Sequence, residues 1–173
     1  MIGKEEERSN PSSETHPEVL QVQTDLDIMH KATALLCVVN KPTRFMRAAM
    51  AFCNELAAQW QCERVSLGLI KGRYMRLKAM SHCEHISRKM QLIQDIESAM
   101  EECFDQDVEV TFPTRPDAMV IAKAAAHVSQ KHGPSALLSV PLHLDDKIEA
   151  VVTFERPVSE PFDEKSINAI CLA

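Results

Sequence analysis

Glycine is scarce in this chain of 173 residues, which contains only Gly3, Gly68, Gly72 and Gly133. The last three do not cluster into a glycine-rich phosphate loop. The Rossmann fingerprint, the P-loop and the kinase loop each need several backbone positions without a Cβ atom. The sequence therefore excludes these three kinds of nucleotide-binding loop.

Long apolar runs are also missing, since none approaches the ~18–20 residues that span a membrane. The amino-terminal residues MIGKEEERSNPSSETHPE lack the apolar core of a secretory signal. No C-x-x-C motif occurs, and four of the six cysteines lie in apolar patterns. This usage is typical of reduced, buried thiols in a cytoplasmic protein. The six cysteines are Cys37, Cys53, Cys62, Cys83, Cys103 and Cys171.

Basic residues are outnumbered, and the formal net charge is −6. Residues 1–25 hold two basic and six acidic side chains, so most of the negative charge lies there. We expect this Ser/Pro/Glu-rich segment to be a disordered tail and residues 26–173 to form one domain. The rest of the chain is close to neutral, which indicates no nucleic-acid partner.

Apolar spacing predicts two helices, from Thr24 to Val39 and from Pro42 to Gln61. The period then changes to two, which predicts a β-hairpin over residues 63–80 with its turn at Lys71-Gly72. We expect one face of this hairpin to be apolar and the other basic. That basic face is either a solvated outer surface or a docking face for an acidic partner.

The second half of the chain repeats this alternation of helix and strand. Ser87 to Phe104 and Asp117 to Lys131 have helical patterns, and a short strand lies between them. Gly133 is placed to end the second of these helices. A more apolar hairpin covers residues 135–157, and Asp163 is a candidate N-cap for a final helix that we expect to be truncated at Ala173. This order predicts an α+β fold, an antiparallel sheet covered by helices.

Two segments resemble the GAF family of regulatory domains. SALLSVPLHLDDKIEAVVTFERPVSEPFDEKSINAICLA, from Ser135 onward, is similar to that family's closing hairpin and final helix, and ERVSLGLIKGRYMRLKAMS to its opening hairpin. The resemblance implies a PAS-related fold with an antiparallel sheet of about six strands and helices on both faces. Residues 44–113 also resemble GAF domains fused to HlyD-like membrane-fusion secretion adaptors, which implies membrane association only through a fused downstream region.

The resemblance further implies a non-catalytic, sensory domain. It would form a homodimer through helices 24–61 and 163–173, and would bind a small molecule under residues 82–134. The cofactor stays unknown. One alternative is a purely structural dimer module without a ligand. Another is a haem or redox sensor, or a GAF-type methionine sulfoxide reductase, although no cysteine here has the glycine neighbour of that enzyme's motif.

Candidate ligand contacts come from the predicted roof and from the sheet beneath it. The densest group is Ser81-His82-Cys83-Glu84-His85, whose donors suit zinc or iron. In a strand, however, His82 and Cys83 would point to opposite faces, so we predict no metal site and no catalytic residues. The candidate pocket residues are Met75, His82, Cys83, His85, Arg88, Arg115, His127 and Ser139.

Overall fold

The computed structural model describes residues 17–87, 89–115 and 118–172, with side chains from residue 21 onward. Its helices are α1 (Pro17–Val39), α2 (Phe45–Gln59), α3 (Gln91–Gln106), α4 (Lys123–His132) and α5 (Glu164–Leu172). Its strands are β1 (Arg64–Lys71), β2 (Tyr74–Met80), β3 (Val110–Phe112), β4 (Ser135–Leu144) and β5 (Lys147–Pro157). No helix among the described residues is long and apolar enough to cross a membrane.

All five strands of the described residues form one antiparallel sheet in the order β2-β1-β5-β4-β3. The two predicted hairpins meet in its centre, where β1 pairs with β5 from Arg64 opposite Glu155 to Leu69 opposite Ala150. The α+β class with helices on both faces is therefore confirmed. The sheet has five strands in these residues, where about six were expected.

The helices divide between the two faces of the sheet. On one side, here the α2 face, α2 and α5 cover alternate strand residues such as Val65, Val152 and Phe154. On the other side, the α3 face, α3 and α4 cover residues such as Leu137 and Val151. This separation follows from the period of two along each strand.

A β-bulge overturns the expected one-sided hairpin. Leu67 lies opposite Ala79 and Gly68 opposite Leu77, so Lys78 is the extra residue on β2. One additional residue reverses the alternation. Consequently Leu77 packs on the α3 face and Ala79 on the α2 face.

Four helix starts differ from the sequence predictions, and one of them is α2, which begins at Phe45 instead of Pro42. α1 is described from Pro17 onward, so residues 17–25 are helical, and residues 1–16 of the predicted tail lie outside the described part. α3 begins at Gln91 instead of Ser87, whose carbonyl accepts a hydrogen bond from the Met90 N–H in a preceding turn (3.0 Å). α4 begins at Lys123, and Asp117, its predicted start, lies outside the described residues.

Candidate functional site

A concavity among the described residues lies at the outer edge of β2 and has a volume of about 650 Å³. We call it the edge cleft. Its three walls are the first turns of α2, the second half of β2, and the connection that leads from β2 towards α3. Their lining residues are Met46, Arg47 and Met50 from α2, Leu77 to Ala79 from β2, and Cys83 to Ile86 from the connection.

The bulge shapes one wall of the edge cleft. Leu77, Lys78 and Ala79 all line this concavity, and Lys78 is the extra residue of the bulge. Bulges re-aim side chains and are common beside functional sites. The wall thus joins apolar side chains to one ammonium group.

A tight turn after β2 holds the connection in place. Met80 forms an isolated bridge with Cys83, and His82 between them has a positive φ of 58°. The His82 backbone N–H donates to Asn54 Oδ1 on α2 at 2.8 Å. Cys83 Sγ donates to the His85 carbonyl at 3.3 Å. These contacts attach the third wall of the cleft to α2.

Two carboxylates of α3 close the other part of the β2 edge. Glu97 Oε1 accepts the Leu77 N–H at 2.9 Å, and Glu101 Oε1 accepts the Met75 N–H at 3.1 Å. Glu97 also pairs with Arg76 at 3.1 Å. Unpaired backbone N–H groups at this edge could otherwise form hydrogen bonds with a strand of another chain. The edge cleft begins at Leu77, where this protected stretch ends.

Charge in the edge cleft is unbalanced. Arg47 and Lys78 are basic and Glu84 is acidic. Among the described residues, neither Arg47 nor Lys78 forms an ion pair. By contrast, Arg64 donates twice to the buried Glu155, at 2.7 Å each. The hairpin's basic character is therefore partly neutralised within the fold, and the cleft keeps an excess of positive charge.

Of the predicted pocket residues that the structure describes, Cys83 and His85 line the edge cleft. His82 is exposed beside them. Met75 is fully buried in the core of the α3 face. Arg88 lies outside the described residues.

The remaining predicted contacts are dispersed. Arg115 is exposed. His127 is on the outer surface of α4, with Nε2 3.8 Å from Asp95 Oδ1. Ser139 is buried in the sheet and shares a hydrogen bond of 2.9 Å with Thr153. The structure therefore does not bring the predicted set together under one roof.

Side chains fill the space between the α3 face of the sheet and its covering helices. Ile93, Ile96 and Met100 of α3 are all buried there, together with Val128 of α4. Sequence reasoning assigned the ligand to this side and missed Arg47. An exposed arginine in the first turn of a helix is common, and its place in the same concavity as Lys78 depends on tertiary packing.

Thiol chemistry is restricted by burial. Desolvation raises the pKa of Cys53 to about 12 and that of Cys103 to about 12, so both remain protonated thiols near neutral pH. Within the described ranges, no group of three or more His, Cys, Asp or Glu residues could hold a metal ion.

The second concavity is a small apolar groove on the α2 face, of about 140 Å³. We call it the sheet groove. Helices α1, α2 and α5 and strands β4 and β5 contribute to it, and every lining residue is apolar. These residues are Leu35, Phe52, Leu56, Val140, Leu142, Val152, Phe154 and Ile170.

No protein-family model and no curated protein matches this sequence. Solved structures do match its fold. The GAF domain from Acinetobacter phosphoenolpyruvate-protein phosphotransferase has 15% identity and a TM-score of 0.59, over 83% of this chain and 85% of that chain. The A. aeolicus nlh2 GAF domain in an inactive state has 11% identity and a TM-score of 0.57, over 86% and 88%.

An enzyme is also among the similar structures. Free methionine-R-sulfoxide reductase from Neisseria meningitidis, in complex with its substrate, has 14% identity and a TM-score of 0.54, over 86% of this chain and 84% of that chain. At such identities the likeness concerns the fold alone, and that fold carries both regulatory and catalytic proteins.

Proposed function

From the premise that this chain has the GAF fold, we propose that it is a non-catalytic regulatory domain. It pairs with a second copy through α1, α2 and α5, and binds a small molecule in the edge cleft. Binding then changes how the paired helices pack and relays a signal to a fused or partner domain.

The proposal of a dimer rests on an exposed apolar stripe along α1. Its members are Val22, Leu26, Met29 and Leu36, with exposures of 66%, 44%, 66% and 63%. They recur at helical spacing, so they share one side of the helix. Contiguous apolar surface of this kind marks an interaction site. Leu35 of the same helix lies on another side, where it lines the sheet groove and packs against the core of the α2 face.

A second copy is the occupant that we propose for this surface. A two-fold dimer brings the same patch of both subunits together, and the patch proposed here is the exposed apolar stripe of α1. Leu142 of β4, at 39% exposure, and Leu172 of α5, at 73%, are further exposed apolar side chains that pairing could cover. Pairing would remove these side chains from water, which is favourable in proportion to the apolar area buried.

Helix α2 connects the edge cleft with the pairing surface. Its first turns line the cleft, and near its other end Gln59 Nε2 donates to the Lys31 carbonyl of α1 at 3.0 Å. Lys31 Nζ also lies 3.6 Å from the centroid of the Trp60 ring. A ligand that binds one position of α2 more tightly than another would shift the packing of α1, because only differential affinity moves such an equilibrium.

Sedimentation of the full chain over a range of concentrations tests the pairing. We expect a dimer for the wild type, and a monomer for Met29→Lys and Leu36→Lys with unchanged circular dichroism. Gln23→Lys adds the same charge at an exposed position of α1 and should leave the dimer intact. A wild type that stays monomeric at the highest attainable concentration would refute the proposal.

The filled core of the α3 face favours a second candidate function, a structural dimer module without a ligand. Both functions predict a dimer, so oligomeric state does not separate them. Thermal unfolding against a panel of small molecules does, since a ligand at 100 times its Kd stabilises the folded state by about 2.7 kcal/mol. A reductase would instead consume free methionine-R-sulfoxide in the presence of a thiol reductant, and we expect no turnover.

A further inference from the structure

We infer that the edge cleft binds an amphipathic organic anion, a small molecule with an apolar body and a single carboxylate, phosphate or sulfonate group. The anionic group would lie between Arg47 and Lys78. This inference rests on the ligand-binding part of the proposed function, and it is independent of pairing.

The two cations are the first argument. Arg47 comes from α2 and Lys78 from β2, yet both line one concavity and neither is paired among the described residues. Like charges that share a cleft repel each other, and more strongly where low-dielectric walls exclude water. A bound anion would remove that repulsion and gain charge-assisted hydrogen bonds from both groups.

Two other basic residues of the hairpin, unlike Lys78, are neutralised within the fold. Arg64 is held by Glu155, and Arg76 by Glu97. Lys78 is the bulge residue, so its position in the cleft depends on a break in the regular ladder. β-Bulges redirect side chains in this way.

The apolar walls are the second argument. Met46 and Met50 lie on the α2 side, and Leu77 and Ile86 lie on the strand and connection. Unbranched thioether side chains adapt to ligands of different shape. A volume of about 650 Å³ falls within the range of small-molecule sites, roughly 300–1,000 Å³. The cleft is therefore larger than an inorganic phosphate alone would fill.

Glu84 is the one acidic side chain among the lining residues. Its charge opposes an anion, so the inference predicts that removing this charge tightens binding. If the ligand were a cation, removing this charge would instead weaken binding. The sign of the Glu84 response therefore identifies the charge of the ligand.

The probe is 8-anilinonaphthalene-1-sulfonate, which joins an aromatic body to one sulfonate and fluoresces when it leaves water. N-phenyl-1-naphthylamine has the same body without the charge. We expect Arg47→Gln and Lys78→Gln each to raise the Kd of the sulfonate about tenfold, the value of one charge-assisted contact. Glu84→Gln should lower it. The Kd of the neutral amine should be the same in all three variants.

Lys147→Gln is the matched control, because it removes an exposed positive charge at the β4–β5 turn and should leave the Kd unchanged. Amide chemical shifts locate the bound sulfonate, and we expect them to move at Ala79 and Ile86 and not at Leu142 of the sheet groove. Arg47 is exposed on a helix, so its variant keeps the test valid even if Lys78→Gln disturbs the bulge.

Several outcomes would overturn the inference. These are no fluorescence with the wild type, equal affinity in the wild type and Arg47→Gln, weaker binding in Glu84→Gln, or shifts confined to the sheet groove. Sedimentation of the same samples separates the two proposals, since a dimer that does not bind the sulfonate leaves pairing standing and refutes only this inference.

Discussion

Met100 of α3 occupies the space that a side chain at Gly68 of β1 would need. A Cβ atom built on Gly68 would lie 2.5 Å from Met100 Sδ and 3.2 Å from Met75 Cε. Both methionines are fully buried. The helix can therefore approach the centre of the sheet because residue 68 is a glycine.

Gly68→Ala should destabilise the domain by about 1–3 kcal/mol, the usual cost of overpacking a core. Denaturant unfolding measures this loss. Met100→Ala makes room for the new methyl group, so the effect of Gly68→Ala should be smaller in that background. Equal effects in both backgrounds would show that the close approach to Met100 is not the cause.

The carboxylates that close the β2 edge should contribute to stability and to solubility. Glu97→Ala leaves the Leu77 N–H and Arg76 without this acceptor, and we expect a loss of about 1.5–3 kcal/mol. Light scattering should also show faster aggregation, because an open edge can pair with another chain.

Glu97→Gln is the matched control for the β2 edge. It keeps an oxygen acceptor for the Leu77 N–H and removes the charge, so it should lose less stability than Glu97→Ala. A similar loss in the two variants would contradict a role for the hydrogen bond.

Asp95 joins α3 to α4 and should give the domain a pH dependence. Burial, which leaves this residue 8% exposed, alone would raise its pKa. Hydrogen bonds from His132, Gln91 and Lys131 nevertheless hold the pKa well below the usual range for aspartate. His132 Nε2 lies 2.6 Å and Lys131 Nζ 3.0 Å from Asp95 Oδ2, and His127 Nε2 lies 3.8 Å from Oδ1.

The pKa of Asp95 is lower in the folded state than in the unfolded state, so its ionised form stabilises the fold. This contribution to the free energy of unfolding is complete above the unfolded-state pKa of about 3.9. It disappears as the pH falls through the folded-state pKa. Asp95→Asn should therefore be less stable than the wild type at pH 6, and the gap should narrow in acid below about pH 4. Urea unfolding across this range checks it. A gap that does not change with pH would refute the assignment.

The amino terminus of α4 depends on a carboxylate from another helix. Glu102 accepts hydrogen bonds from the backbone N–H groups of Lys123, Ala124 and Ala125, at 2.7 to 3.3 Å. Glu102→Ala should cost about 0.5–2 kcal/mol, as the loss of a helix cap does. Hydrogen exchange should accelerate first in α4.

Glu160→Ala removes an exposed acidic side chain in the segment between β5 and α5 and is the control for Glu102→Ala. We expect it to leave exchange in α4 unchanged. Faster exchange of α4 in both variants would mean that lost negative charge, and not the cap, is responsible.

Several local features could be predicted because their causes are close in sequence. Asp163 Oδ1 accepts the Ser166 N–H at 2.9 Å at the start of α5, as its candidate N-cap position indicated. Gly133 ends α4 with a φ of +118°. In both cases the residue type and its sequence neighbours are sufficient to predict the end of the helix.

Other features could not be predicted because their causes are distant in sequence. Ala122 makes no side-chain cap to α4, and the acceptor is Glu102, about twenty residues earlier. The local sequence therefore predicts a start for α4 that is earlier than Lys123, where the helix begins. Likewise, the sequence around the bulge at Lys78 alternates between apolar and polar residues without a break. The pattern alone therefore predicts a regular strand.

The amino-acid pattern by itself determined the class of this protein, since alternating and helical apolar spacing state which face of each segment avoids water. Tertiary structure decided the edge cleft, the protected β2 edge and the filled α3 face. Each of these depends on distances between segments that no local pattern records, because side chains from separate elements meet only after the sheet has formed and the helices have packed on it.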